Sequence, residues 1–143
     1  MTDRMNIRSY HIVADAPADV VFDFVSDLNN LPGWSIHWCR GIRLLDDGAI
    51  VTTASGSEVY FGMTGDRESG VLDWWAGPTK ETARRWPTRV TGLPDGRSLY
   101  QLTAILEGEL PPNIDQWFND ELGMIKRLTE AQAVAAWDGA GAA

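Results

Sequence analysis

Apolar and polar residues alternate with a period of two near the start of the chain. Over residues 6–14, Ile7 and Val13 occupy one set of alternate positions, and Ile12 belongs to the other. Such alternation, with β-branched residues among the apolar ones, is typical of a strand. The pattern therefore predicts a first strand over residues 6–14.

The spacing of apolar residues becomes helical after Pro17. Proline suits the first turn of a helix, where its missing N–H group would have no partner. Apolar residues then recur three and four positions apart, at Val20, Val21, Phe24, Val25 and Leu28. This spacing predicts an amphipathic helix over residues 17–27. A second helical turn follows before Pro32 and Gly33 end the helical region.

Six short strand-like runs occupy the middle of the chain. The predicted strands cover residues 37–45, 49–54, 58–67, 71–76, 81–90 and 98–106. Most connections between them contain glycine beside aspartate or serine, which favours tight hairpins because glycine adopts positive φ at little cost. Successive strands joined by short turns predict an antiparallel meander.

A long helix is predicted at the end of the chain. Asn113 is a suitable N-cap, and Gln116 three residues later resembles the partner of a capping box. Apolar residues follow at helical spacing at Ile114, Trp117, Phe118, Leu122, Ile125 and Leu128. Glu121 is the one polar interruption of this stripe. The helix should run for about 24 residues, or about 36 Å, and residues 138–143 should fray.

The order of these elements predicts a single α+β domain over residues 1–143. One curved antiparallel sheet of about seven strands is expected, with two short helices after the first strand and the long helix at the end. A sheet of which only one face is covered has to curl around the long helix. In this way the covered face of the sheet and the apolar face of the helix are both buried. Because a helix seldom fills such a concavity, the arrangement predicts a pocket between sheet and helix.

Charge and cysteine content narrow the classes of partner. The chain has 20 acidic and 12 basic residues and a net charge of −8, which disfavours nucleic acid as a partner. Cys39 is the single cysteine, so no intramolecular disulfide is expected, as suits a reducing compartment. The first nine residues lack the apolar segment of a secretory signal, and no apolar run reaches the ~18 residues of a membrane span. We expect a cytoplasmic protein.

Tryptophan is unusually frequent, with seven in 143 residues. Tryptophan has a large apolar ring and an N–H group that needs a partner when buried. The excess indicates a large aromatic core or a cavity with aromatic walls.

The N-terminal third of the chain resembles the START-like (SRPBCC) superfamily. Residues 11–27 have the sequence HIVADAPADVVFDFVSD, and LPGW follows at residues 31–34. The segment GVLDWW at residues 70–75 and the closing helix lie where that superfamily has them, so the resemblance covers residues 5–137. It implies the helix-grip fold and a deep apolar pocket for a lipid, hormone or aromatic compound. Among the branches, the polyketide cyclase/dehydrase type is favoured; the oxygenase type is disfavoured, because the sequence lacks the Cys/His pairs of a Rieske centre.

The candidate site residues are mostly aromatic. The predicted ligand-binding residues are Trp34, His37, Phe61, Trp75, Trp86, Tyr100, Trp117 and Phe118. Candidate acid/base groups are His37, Glu58, Asp73 and Tyr100, of which His37 is preferred because histidine titrates near neutrality. His37 and Cys39 are two apart on a predicted strand, which also permits a Cys–His dyad. No metal site and no cofactor are expected, because two histidines and one cysteine in separate contexts form no ligand cluster.

Three functions remain open at the level of sequence. The expected partner is a small apolar or aromatic molecule, held either by a cyclase- or dehydratase-like enzyme or by a non-catalytic carrier or sensor. The third alternative is a protein-interaction module, and a homodimer is a possible assembly. An enzyme should place an ionisable group with a perturbed pKa inside the pocket. A carrier's pocket should be almost entirely apolar, and an interaction module should have a filled core with an exposed apolar patch.

Overall fold

The computed structural model describes residues 4–141, with side chains described up to residue 136. An antiparallel sheet of eight strands curves around a long C-terminal helix. The strands are β1 (Met5–Ala14), β2 (Cys39–Leu45), β3 (Gly48–Thr53), β4 (Glu58–Asp66), β5 (Val71–Gly77), β6 (Arg84–Trp86), β7 (Thr88–Gly92) and β8 (Ser98–Glu107). The helices are α1 (Ala18–Ser26), α2 (Leu31–Trp34) and α3 (Ile114–Gly141), with a 3₁₀ turn at Leu28–Asn30. The predicted α+β class, with its curved sheet and long final helix, is confirmed.

The strands follow one another in space almost as they do along the chain. The order across the sheet is β1-β8-β7-β5-β4-β3-β2, and β6 pairs with β5 beside this path. The first and last strands are therefore neighbours, with Tyr10 opposite Leu102. Helix α3 packs on β1, α1 and α2, which places its first turns over the concave face of the sheet.

The short helices form where the sequence predicts them. The carbonyl of Pro17 accepts hydrogen bonds from the amides of Val20 and Val21, at 3.1 and 3.2 Å, which starts α1. Helix α1 buries Phe22 and Phe24 against the core. The Asp27 side chain accepts a hydrogen bond from the amide of Asn29 and caps the 3₁₀ turn that leads into α2.

The predicted strand over residues 81–90 is two strands in the structure. Pro87 lies between β6 and β7, and its lack of an N–H group interrupts the ladder at that point. Residues 81–83 belong to a turn, and the predicted strand over 37–45 begins only at Cys39. The sheet therefore has eight strands where about seven were expected.

Helix α3 has 28 residues, about 42 Å at 1.5 Å per residue. It begins at Ile114, one residue after the predicted N-cap, and continues through Gly141. The segment predicted to fray, residues 138–143, is helical as far as the structure describes it, and residues 142–143 lie outside the described residues. Within the described chain, no helix is both long and apolar enough to cross a membrane.

The core lies between the concave face of the sheet and the inner sides of α1 and α3. Leu122, Ile125 and Thr129 are fully buried along α3. On the sheet, Trp74 and Tyr100 are fully buried, and the indole N–H of Trp74 donates to the Tyr100 hydroxyl at 3.2 Å. Side chains near the N-terminal end of α3 leave part of the concavity unfilled, and this gap is the candidate site.

Candidate functional site

A cavity of about 250 Å³ lies between the sheet, the α2–β2 connection and the first two turns of α3. Three groups of side chains line it. Leu31, Trp34, Ser35, His37 and Trp38 come from α2 and the connection after it. The sheet provides Phe61, Trp74, Ala76, Trp86, Leu102 and Leu106. Helix α3 provides Ile114, Trp117, Phe118 and Glu121.

The α2–β2 connection is a compact turn held by its own backbone. The Ser35 amide donates to the Leu31 carbonyl at 2.8 Å, and the Cys39 amide donates to the Ser35 carbonyl at 2.9 Å. This turn directs Trp34, Ser35 and the His37 amide toward α3. Three of the four residues between α2 and β2, namely Ser35, His37 and Trp38, therefore build one side of the cavity.

The cavity walls are predominantly aromatic. Five of the seven tryptophans line it, together with two phenylalanines. Phe61 and Trp74 stack with ring centroids 5.0 Å apart, and Trp38 contacts Phe61 at 5.4 Å. Across the cavity, Trp86 packs on Phe118 at 5.9 Å. Such walls offer flat apolar faces to a ligand with rings.

Glu121 is the one carboxyl group in this apolar cavity. Its side chain is 7% exposed, and one oxygen, Oε2, accepts hydrogen bonds from the Ser35 hydroxyl at 3.2 Å and the His37 amide at 2.9 Å. Neither hydrogen bond uses the other oxygen, Oε1. Burial raises the pKa of Glu121, and the His37 amide, the Ser35 hydroxyl, the His37 ring and the Trp38 amide offset this only in part. Glu121 is thus poised to hold or release a proton closer to neutral pH than an ordinary carboxyl.

Cys39 and Tyr100, two titratable groups near Glu121, carry no positive charge. No lysine or arginine is among the residues that line the cavity. Burial raises the pKa of the Cys39 thiol, and burial likewise raises the pKa of the Tyr100 hydroxyl, with the Glu121 charge adding to both effects. Both groups therefore stay neutral at physiological pH.

His37 lies at the edge of the cavity. Its imidazole stacks on Trp117 with centroids 6.1 Å apart, and Nε2 is 2.8 Å from the Asp120 carboxylate. About a third of the side chain is exposed, at 35%. The ring therefore faces Asp120 and solvent, while the backbone amide of the same residue holds Glu121.

Six of the eight predicted ligand-binding residues line the cavity, and the other two do not. The six are Trp34, His37, Phe61, Trp86, Trp117 and Phe118. Trp75 lies on the convex face, where its indole N–H donates to Thr64 at 2.7 Å and Arg85 covers its ring at 5.4 Å. Tyr100 is buried behind Trp74 and does not line the cavity.

The other predicted acid/base groups lie outside the cavity. Glu58 is exposed on β4. Asp73 shares the convex face with Trp75, accepts a hydrogen bond from the Thr88 amide at 3.2 Å and lies 3.7 Å from Arg85. Cys39 lines no part of the cavity, and its thiol contacts the Gly41 carbonyl at 3.6 Å. The structure thus brings only His37 of these candidates to the site.

Sequence reasoning did not select Glu121, Ser35, Trp38 or Trp74 as site residues, although all four line the cavity. The signal for Glu121 was present, because a lone charged residue interrupts the apolar stripe of α3. Trp74 and Trp75 both belong to an apolar strand, and only their register in the sheet shows which one faces inward. Trp34, at 5% exposure, carries the one buried side-chain nitrogen without a hydrogen-bond partner in the part of the chain described.

A larger concavity of about 630 Å³ is open to solvent on another face of the molecule. It includes Trp75, Tyr60 and an exposed ion pair between Lys80 and Asp47. Its one lysine is already paired with Asp47, and Asp46 lies beside them. Over residues 4–141, no group of three or more histidine, cysteine or acidic side chains is arranged to hold a metal ion. The aromatic cavity with Glu121 is therefore the better candidate site.

A curved antiparallel sheet around a long C-terminal helix, with an apolar cavity between them, defines a START-like protein of the helix-grip type. Residues 14–116 match the family described as polyketide cyclase / dehydrase and lipid transport, and the chain belongs to that family. The search among curated proteins gave no match.

Solved structures support the same fold at low sequence identity. The Zhui aromatase/cyclase from Streptomyces sp. R1128 superposes with a TM-score of 0.70 at 13% identity, covering 89% of this chain and 94% of that one. A norcoclaurine synthase point mutant from Thalictrum flavum gives 0.68 at 12% identity, covering 92% and 98%. A START superfamily protein from Mycobacterium smegmatis gives 0.61 at 12% identity, covering 91% and 98%. At these identities the likeness concerns the fold alone.

Proposed function

We propose that the protein binds a small aromatic molecule in the cavity and acts on it as a cofactor-independent, cyclase- or dehydratase-like enzyme. Glu121 is the proposed general acid/base. The observation that carries this proposal is the carboxyl group of Glu121, 7% exposed and placed among aromatic side chains. A carboxyl in such surroundings has its pKa raised toward the working pH of a general base, as the direction of its shift here indicates.

The proposed chemistry consists of positioning and proton transfer. The aromatic walls hold a substrate with few free rotations, so that reacting atoms stay close together. Ionised Glu121 takes a proton from a carbon next to a carbonyl group. In a dehydration, Glu121 then returns that proton to the departing β-hydroxyl, which leaves as water and restores the carboxylate. Ser35 and the His37 amide keep Oε2 in place while Oε1 meets the substrate.

The cavity volume limits the size of the ligand. The cavity holds about 250 Å³. Cavities for drug-sized ligands start at about 300 Å³. The proposed ligand therefore has one or two rings rather than an extended polycyclic or lipid chain.

The carrier function has one observation in its favour. Apart from Glu121, Ser35 and His37, every side chain that lines the cavity is apolar or aromatic. A carrier would use Glu121 only to anchor a polar group of its ligand. The two functions differ in whether a bound ligand exchanges protons with the protein.

Binding is tested by quenching of tryptophan fluorescence with one- and two-ring aromatic ketones. Saturable quenching is expected, because five tryptophans line the cavity. Trp117→Ala should weaken binding by about tenfold or more, since it removes a large wall residue. Trp75→Ala is the matched control, because Trp75 lies on the convex face. If Trp75→Ala weakened binding as much as Trp117→Ala, the proposed location of the binding site would be contradicted.

Catalysis is tested by deuterium exchange at the carbon next to the carbonyl of a bound ketone, followed by NMR in heavy water. Wild-type protein should accelerate the exchange, and Glu121→Gln should slow it by about 10²–10⁴-fold while binding persists. Tight binding without accelerated exchange in the wild type would favour the carrier function.

We also propose that the protein acts in the cytoplasm and does not bind nucleic acid. The buried free thiol of Cys39 and the net charge of −8 support this proposal. Retention on immobilised duplex DNA at 50 mM salt would contradict the second part. The homodimer stays a prediction, and light scattering would give the mass that checks it.

A further inference from the structure

The cavity combines a buried acid with a large area of aromatic surface. Glu121 is 93% buried, since 7% of it is exposed, and its oxygen Oε1 takes part in neither of the hydrogen bonds that hold Oε2. Five tryptophans and two phenylalanines surround the same space. An acid buried in this way normally has a basic partner, because dehydrating an unpaired charge is costly.

Among the described residues that line the cavity, no lysine or arginine supplies such a partner. Among the lining residues, His37 is the one group able to carry a positive charge, and its ring is paired with Asp120 outside. Lys126, on the same helix as Glu121, binds the Val13 carbonyl and Glu130 instead. Cys39 and Tyr100, whose pKa values are raised by burial and by the Glu121 charge, bear no positive charge in either protonation state.

We propose that the molecule bound in this cavity carries one positive charge, as a protonated amine or a quaternary ammonium group attached to an aromatic ring by a short chain. The ammonium group would pair with Glu121 Oε1 and lie against the tryptophan faces, while the ring would stack between the apolar walls. This inference rests on the proposed function and names its ligand class.

Both parts of the site favour a cation over a neutral ligand. Tryptophan is the strongest cation–π acceptor among the side chains, and the attraction grows when the cation is removed from water. A bound ammonium also supplies the countercharge that an ionised Glu121 lacks. Pairing with the ammonium keeps Glu121 ionised while the ligand is bound. The net charge of −8 further attracts cations to the molecule, and this general effect needs a control.

The test compares 2-phenylethylammonium with 2-phenylethanol, a neutral probe of almost the same shape, by isothermal titration calorimetry at pH 8. Wild-type protein should bind the ammonium about tenfold tighter than the alcohol, which corresponds to about 1.4 kcal/mol. Glu121→Gln should abolish this preference and leave the affinity for the alcohol almost unchanged. Glu58→Gln is the matched control, because it removes one exposed acid with the same change in net charge.

The outcomes separate this inference from the proposed function. Equal or tighter binding of the alcohol by the wild type would overturn the ammonium inference and leave aromatic binding in place. A loss of preference in Glu58→Gln as large as in Glu121→Gln would also overturn it, because net charge alone would then explain the attraction. Binding of neither probe by cooperatively folded protein would overturn both proposals.

Discussion

Replacing Glu121 with glutamine tests the candidate site without any ligand, because a buried carboxyl makes folding depend on pH. Glutamine has the same shape, and its amide oxygen can accept the same two hydrogen bonds, from the Ser35 hydroxyl and the His37 amide. The difference between the two proteins therefore isolates the charge. With 7% exposure, the carboxyl is largely shielded from solvent screening.

The direction of the effect follows from the raised pKa of Glu121. Burial lifts this pKa above the ordinary value of 4.5, so the folded state binds the proton more tightly than the unfolded state. The free energy of unfolding is then highest below the ordinary pKa. It falls as the pH rises through the raised pKa, and above that pKa the penalty is constant. Glutamine, which has no proton to lose, avoids this fall.

Two opposing contributions determine the size of the effect at high pH. An ionised acceptor makes each of the two hydrogen bonds about 1 kcal/mol stronger than a neutral amide does, which favours glutamate. Dehydrating the carboxylate costs several kcal/mol even after the surroundings relax, which favours glutamine. Because the raised pKa shows that dehydration is the larger contribution, Glu121→Gln should be more stable than wild type by about 1–3 kcal/mol at pH 8. At pH 4 the two proteins should agree within about 0.5 kcal/mol.

Urea unfolding between pH 4 and pH 8, followed by tryptophan fluorescence and circular dichroism, measures this difference. The melting temperature at pH 8 should rise by about 3–10 °C in the variant. Glu58→Gln serves as the control, because Glu58 is exposed and should give no comparable pH-dependent difference. A difference between wild type and Glu121→Gln that does not change with pH would refute the reasoning. Greater stability of the wild type than of Glu121→Gln at pH 8 would also refute the reasoning.

Three further substitutions distinguish the core from the site. Tyr100→Phe removes the acceptor of the buried Trp74 N–H group and should cost about 1–3 kcal/mol in urea unfolding. Tyr60→Phe, whose hydroxyl donates to a partly exposed carbonyl, should cost less, and equal losses would contradict the buried hydrogen bond. His37→Ala keeps the backbone amide that holds Glu121, so it should slow deuterium exchange of a bound ketone by less than tenfold. A reduction as large as that of Glu121→Gln would instead make His37 the proton carrier.

The elements that the sequence predicted well are those whose signals are local. The strand over residues 6–14 and the helices after Pro17 and Asn113 each show their periodicity within one segment, and the structure has them within a few residues. The division at Pro87 was missed because residues on both sides of it favour strands. Pro87 separates a three-residue strand that pairs with β5 from one that pairs with β8, and the pattern of residues along the segment does not show this change of partner.

The orientation of side chains was predicted less well than the elements. Adjacent residues of a strand point to opposite faces, so either Trp74 or Trp75 had to face inward. Both are equally apolar, and the choice depends on register, in which Trp74 lies opposite Met63 on β4 and Trp86 on β6. The apolar face predicted for the last strand includes Tyr100, which is buried, but Trp74 lines the cavity and Tyr100 does not, and no pattern along one strand reveals this.

Glu121 shows how a deviation from a pattern can identify a site. The apolar stripe of α3 predicts a helix, and Glu121 is the charged residue that interrupts it. In the structure the same residue contacts the α2–β2 connection through Ser35 and His37, so a purely structural role is the alternative to a functional one. A structural role needs only an acceptor, which glutamine provides without the cost of dehydrating a charge. If glutamine stabilises the protein at neutral pH, as predicted, the charge at this position lowers stability, and its purpose has to be sought in what the cavity binds.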